Sequence, residues 1–189
     1  MKFLRLLAIL LCALTILSYS NLMANEEAKY EVVDKTKIFE IRKYSDRLAV
    51  ETYEINQNSG FRILFNYISG NNKTNQEIKM TTPVTRIEKN GNMTMQFYLP
   101  SKFDKDNVPD PSSDKVKVIN IQGGYYAVLR YSGRASEKNF IKHKEILENE
   151  LIRKNIQILS SPIKATYDSP FTLPMNRRNE AMFKINYNR

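Results

Sequence analysis

The sequence predicts an α+β fold: a twisted antiparallel β-barrel made of two pseudo-symmetric repeats and flanked by two α-helices. Three observations predict it. Short segments of alternating apolar and polar residues, bounded by Gly, Pro, Asn and Asp, recur along the chain, the period-two pattern of strands. Two segments, beginning at Ser59 and at Ser136, carry apolar residues at helical spacing instead. Finally, residues 41–53 (IRKYSDRLAVETY) align without gaps on residues 119–131 (INIQGGYYAVLRY), matching Ile41 with Ile119, Ala49 with Ala127, Val50 with Val128 and Tyr53 with Tyr131. Each half, about 30–100 and about 115–188, then reads strand, turn, strand, helix, strand, strand. One half would leave an apolar sheet face bare; two can bury both faces and keep the helices outside.

The elements follow in order. Residues 30–33, 37–42 and 48–54 read as strands, the last two separated by the turn residues Tyr44-Ser45-Asp46-Arg47. Ser59 can cap a helix whose Phe61, Leu64, Phe65 and Ile68 fit the i, i+3, i+4, i+7 template, and Gly70 suits its left-handed cap. Residues 79–85 are β-prone, with Pro83 marking an edge or bulge. Lys89-Asn90-Gly91-Asn92 is a hairpin signal, and Met93, Met95, Phe97 and Leu99 then alternate with polar residues as a strand with one buried face. A polar, Pro-rich connection precedes strands at 116–121 and 125–131, joined at Gly123-Gly124. The second helix buries Phe140, Leu147 and Leu151. In the last strand Ala181, Phe183, Ile185 and Tyr187 face one way and Glu180, Met182, Lys184 and Asn186 the other.

A hydrophobic content of 42% in 189 residues fits one domain, residues 25–189. Residues 1–24 read as a secretory signal peptide: Lys2 and Arg5, an apolar run at 6–17, then Leu22-Met23-Ala24 before the cut. The run is short for a membrane span, so cleavage is the stronger reading and an uncleaved anchor the weaker; the mature chain is expected to be periplasmic, without a stable span, and a monomer. The single cysteine, Cys12, leaves with this segment, and thiol chemistry and disulfides with it. The net charge of +9 falls to +7 in the mature chain. Basic residues are interleaved with acids and form no block of five, which argues against nucleic acid; anionic headgroups or carboxylate-bearing ligands suit the charge better.

Candidate functional residues fall in four groups. Residues 167–180 form a Pro-bounded loop that ends in Arg177, Arg178 and Glu180. A carboxylate entering a sheet beside Met182 needs a cation, and these arginines are the nearest in sequence; they lock the fold or grip an anionic ligand, and Glu180 otherwise meets a cationic one. His143 is the only histidine and sits between two lysines beside the apolar face of the second helix, where an axial role to haem iron is the weaker reading and a solvated side chain the stronger. Met80, Met93 and Met95 read as core fillers before they read as a thioether site. Tyr125, Tyr126 and Tyr131 read as sheet packing before they read as a stacking or phenolate site. No GxSxG, HExxH, P-loop or GxGxxG motif is present, and no catalytic residue is nominated.

Taken together, Tyr30-Glu31-Val32, Phe39-Glu40-Ile41-Arg42, Lys79-Met80-Thr81-Thr82-Pro83-Val84, Phe97-Tyr98-Leu99-Pro100, Tyr126-Ala127-Val128 with Tyr131-Ser132-Gly133, and the loop YDSPFTLP…RRNE resemble the SOUL/haem-binding-protein family over about residues 30–187. The resemblance implies a barrel with two helices, similar to the effector-binding domains of multidrug-sensing regulators. It implies non-covalent haem or other tetrapyrrole binding in an apolar groove beside the first helix, here Phe61, Leu64, Phe65, Ile68 and Met80. The family's proposed axial histidine does not lie on the second helix, so His143 inherits no role. The expected function is an exported, non-enzymatic carrier or buffer of haem. The alternatives are a tetrapyrrole-modifying enzyme and a binder of amphipathic cations through an interior Glu180.

Overall fold

Alternating side chains build one large sheet. In a computed structural model, residues 25–53 and 59–187 are described; the expected signal peptide (1–24) and Glu54 lie outside them. The elements in chain order are β1 (Glu26–Glu27), β2 (Tyr30–Lys35), β3 (Glu40–Tyr44), β4 (Arg47–Tyr53), α1 (Ser59–Ile68), β5 (Thr81–Thr82), β6 (Val84–Lys89), β7 (Asn92–Tyr98), β8 (Lys117–Ile121), β9 (Gly124–Tyr131), α2 (Glu137–Arg153), β10 (Ile163–Thr166) and β11 (Asn179–Ile185). Nine strands pair antiparallel in the order β2-β3-β9-β11-β10-β6-β7-β4-β8, while β1 and β5 form a short parallel ladder of their own. The sheet curls into a half-barrel with β2 and β8 as its edges. Exchanging β3 with β8, β4 with β9, β6 with β10 and β7 with β11 turns the order, β2 aside, into its own reverse.

Both helices lie on the convex face. Leu64, Tyr67 and Ile68 of α1 pack with Val50, Met95 and Phe97 of β4 and β7. Phe140, Leu147 and Leu151 of α2 pack with Ile41, Leu129 and Phe183 of β3, β9 and β11. Ser136 caps α2, its hydroxyl accepting from the Asn139 N–H at 3.3 Å. Gly70 takes the left-handed φ of +102° expected after α1. Asn90 and Gly91, both with positive φ, turn β6 into β7 as the hairpin signal required.

Two expectations change. The strand predicted at 37–42 starts only at Glu40, because Thr36 folds the preceding residues into a turn: its hydroxyl accepts from the Phe39 N–H at 2.9 Å. And β7 is buried on both faces, with Thr94, Gln96 and Tyr98 as covered as Met95 and Phe97. Its polar face looks into the hollow of the half-barrel, where other side chains shield it.

Candidate functional site

The helical stripe of α1 divides in two. Leu64 and Ile68 are core, 0% and 4% exposed. Phe61 and Phe65, one turn apart, lie on the flank at 43% and 46% exposure. Their rings stack at 5.8 Å with an interplanar angle of 13°, and Phe61 meets the buried Phe97 edge-on at 5.2 Å. Half-buried Met80 packs against the core cluster below. Arg62, exposed and three residues before Phe65, borders the pair. Two aromatic faces held parallel in water form a ledge suited to a flat apolar partner. Of the five residues predicted for a groove, Phe61 and Phe65 are exposed, Met80 is half-buried against the core cluster, and Leu64 and Ile68 are core.

The second candidate cluster is closed. Glu180 is 0% exposed on the concave face. Arg42 Nη1 donates to both of its oxygens at 3.1 and 3.0 Å, Arg178 Nε donates at 3.0 Å, and the Tyr167 hydroxyl donates at 2.7 Å. Arg178 also donates to both oxygens of Glu27 at 2.9 and 2.8 Å, and Arg42 to Glu40 at 2.9 Å. The Tyr167 ring lies 3.7 Å from the Arg178 guanidinium, and that of Tyr30 lies 4.2 Å from Arg42. Burial by itself would depress Arg42; Glu180, Tyr44 and Glu40 together outweigh it and hold the guanidinium above its ordinary value. Burial drives the Tyr167 hydroxyl well up, and neighbouring Glu180 adds to that.

This arrangement corrects two expectations. Arg177 is not a partner of Glu180: its guanidinium donates to Thr172 O at 2.7 Å and to Pro170 O, within the loop. Nor does Glu180 offer an open face to an amphipathic cation, since two arginines and a tyrosine already occupy it. The partner missed is Arg42. Its place on β3, sharing a face with Glu40 and Tyr44, follows from alternation, but a pairing 138 residues away leaves no mark in one sequence.

His143 sits apart on α2, where its ring stacks on Tyr131 at 4.1 Å and Nδ1–H donates to Asn139 O at 2.8 Å. The histidine is half-buried rather than solvated, and it serves packing. Tyr126 and Tyr131 are buried, and Tyr125 packs on Tyr187 at 5.5 Å. Met95 is core and Met93 is 38% exposed. Among the described residues no three His, Cys, Asp or Glu side chains converge as a metal site.

A cavity of about 550 Å³ opens elsewhere, between β1 and the start of β4, with Arg47, Tyr98, Leu99 and Phe103 in its walls. The half-barrel interior behind it is filled: the Arg47 guanidinium packs over Tyr44, Tyr98 and Tyr126 at 4.2, 4.6 and 5.6 Å. Its Nε and Nη1 are buried without a hydrogen-bond acceptor. Most of the lining of this cleft is apolar, with the acids Glu26, Glu27, Asp46 and Asp104 beside Arg47.

A curled antiparallel sheet with two helices on its convex face and a filled concave face defines a small α+β half-barrel fold. The sequence profile of the SOUL heme-binding protein family matches residues 25–184, and the chain belongs to that family. Mouse (Mus musculus) Heme-binding protein 2 is 27% identical over 173 residues, covering 84% of this chain and 83% of the relative. Among solved structures, the EcmrR C-terminal domain superposes with a TM-score of 0.58 at 12% identity, covering 83% of this chain and 98% of that one. A Listeria innocua protein described as a hydrolase superposes with a TM-score of 0.55 at 7% identity, covering 89% and 97%. At these identities the two structures bear on the fold alone.

Proposed function

We propose that the chain is an exported, monomeric binder of haem or a related tetrapyrrole, a non-enzymatic periplasmic carrier or buffer, with the macrocycle on the Phe61/Phe65 ledge. The observation that carries this reading is the stacked pair itself, parallel to 13° and nearly half exposed. Membership of a family described as heme-binding, and the printed name of the mouse relative, support it. Haem presents a flat apolar face and two carboxylates. The ledge meets the first; Arg62 and Lys79, both exposed, would hold the second. Among the described residues there, the Met80 thioether is the soft donor beside α1, and binding rests mainly on apolar contact. The positive charge of the mature chain favours capture of a dianionic ligand.

Haem titration of the protein tests the reading. The Soret band shifts at micromolar haem, Phe65→Asp weakens binding at least ~tenfold by removing an aromatic face and adding a carboxylate, and His143→Ala leaves it unchanged. No Soret change, or one indifferent to Phe65→Asp, contradicts it. Export predicts a periplasmic form whose N-terminal residue follows Ala24.

A further inference from the structure

The loop between β10 and β11 plays no part in the ledge, yet it presents the two most exposed large apolar side chains among the described residues and a third close behind. Phe171 is 94% exposed, Met175 74% and Leu173 61%. Three large apolar groups within five residues would ordinarily fold back onto the protein. Here the backbone holds them outward. Thr172 N–H donates to Ser169 O at 3.0 Å and Asn176 N–H to Leu173 O at 2.9 Å. The Arg177 guanidinium fills the inside of the turn, donating to Thr172 O and Pro170 O. Arg178 N–H donates to Asp168 at 2.6 Å, and Gly133 N–H ties Pro174 O to the end of β9 at 2.8 Å. Pro170 and Pro174 stiffen both arms. The loop is built inside out, with a polar, hydrogen-bonded interior and an apolar rim.

Cations stand at its base. Arg134 follows Gly133 directly and is exposed, as is Lys138 in the first turn of α2. The acids nearest in sequence are engaged: Glu137 by Lys164 at 3.0 Å, and Asp168 by the Arg178 N–H. Apolar side chains ahead of a basic collar match the boundary between acyl chains and anionic headgroups. A proteinaceous groove would use the apolar rim but would leave the collar without a role. No helix among the described residues is long and apolar enough to cross a membrane, so attachment through this loop is peripheral.

We propose that the 168–176 loop is a membrane-docking wedge, placing Phe171, Leu173 and Met175 at the acyl boundary of an anionic bilayer while Arg134 and Lys138 meet lipid phosphates. The full chain carrying Phe171→Trp tests it, because the protein has no tryptophan and the indole is then the sole reporter. With phosphatidylglycerol vesicles, the emission of this indole shifts to the blue and is quenched by brominated acyl chains. Partition falls about tenfold when Leu173→Ser and Met175→Ser are added, and about tenfold on phosphatidylcholine vesicles. A matching chain carrying Phe61→Trp instead keeps the same spectrum with and without vesicles, which separates the wedge from the haem ledge. An indole that stays in water in the Phe171→Trp chain while that chain sediments with vesicles overturns the proposal, as does a blue shift confined to the Phe61→Trp chain. Partition equal on both lipids overturns the role of the basic collar. Thermal unfolding of each variant, expected unchanged, confirms that exposed positions were altered without loss of fold.

Discussion

Glu180 draws together residues from distant parts of the chain. Arg42 comes from β3, Tyr167 from the end of β10 and Arg178 from the start of β11, and each donates to the same fully buried carboxylate. Removing one member leaves the rest charged and out of water. Glu180→Ala is therefore expected to lower unfolding free energy by ~3 kcal/mol or more, whereas Arg177→Ala, which frees only loop carbonyls, costs about 1 kcal/mol. Denaturant unfolding of the two variants distinguishes these values. Buried tyrosines set a second expectation. Burial pushes Tyr44 and Tyr67 up to about 12 from an ordinary value of 10, and raises Tyr126 as well. In the unfolded chain these hydroxyls ionise near 10, so the stability held in their neutral form is complete below that pH and is lost as pH climbs toward 12. Base-induced unfolding should begin above about pH 10, with tyrosinate absorbance and loss of circular dichroism rising together. Ionisation of Tyr44 and Tyr67 near that pH with the fold intact would contradict this.

At the scale of elements, close packing of two turns fixes how the halves meet. Gly123, before β9, lies against the turn between β3 and β4: a Cβ there would sit 2.5 Å from Tyr44 O and 2.8 Å from Ser45 C, both backbone. Its N–H donates to Asp46 at 2.8 Å, and Asn120 donates to the same carboxylate at 2.9 Å. Gly123→Ala is expected to cost ~2 kcal/mol through overpacking, measured as a lowered Tm with little change in haem affinity. These turns were legible from Asp46 and Gly123-Gly124 as turn residues; their mutual contact was not. The same division holds for α1. Its period was plain, but the i, i+3, i+4, i+7 template treats Phe61 and Leu64 alike. Which edge of the stripe the sheet covers depends on how the helix lies on β4 and β7, a tertiary fact. Alternation likewise placed Thr94 and Gln96 of β7 opposite Met95 and Phe97, yet could not say that a curled sheet would bury both sets.

For the whole molecule, curvature assigns the faces their tasks. The concave face is filled by tyrosines and arginines and closed by the Glu180 network, and the convex face carries both helices. With the hollow of the half-barrel filled by side chains, the ligand site proposed above is on the surface, beside α1. Strand order explains why two helices are similarly placed but differently used: α2 is longer, capped and seated over Phe183 and Leu129, while α1 is ten residues and leaves two phenylalanines in water. The most direct measurement is paramagnetic broadening of amide NMR signals by ferric haem, referenced to zinc protoporphyrin. The predicted result is broadening centred on Phe61, Arg62, Phe65 and Met80, with residues around His143 and Arg47 sharp. Broadening centred on His143, or on the cavity walled by Arg47 and Tyr98, would contradict the ledge.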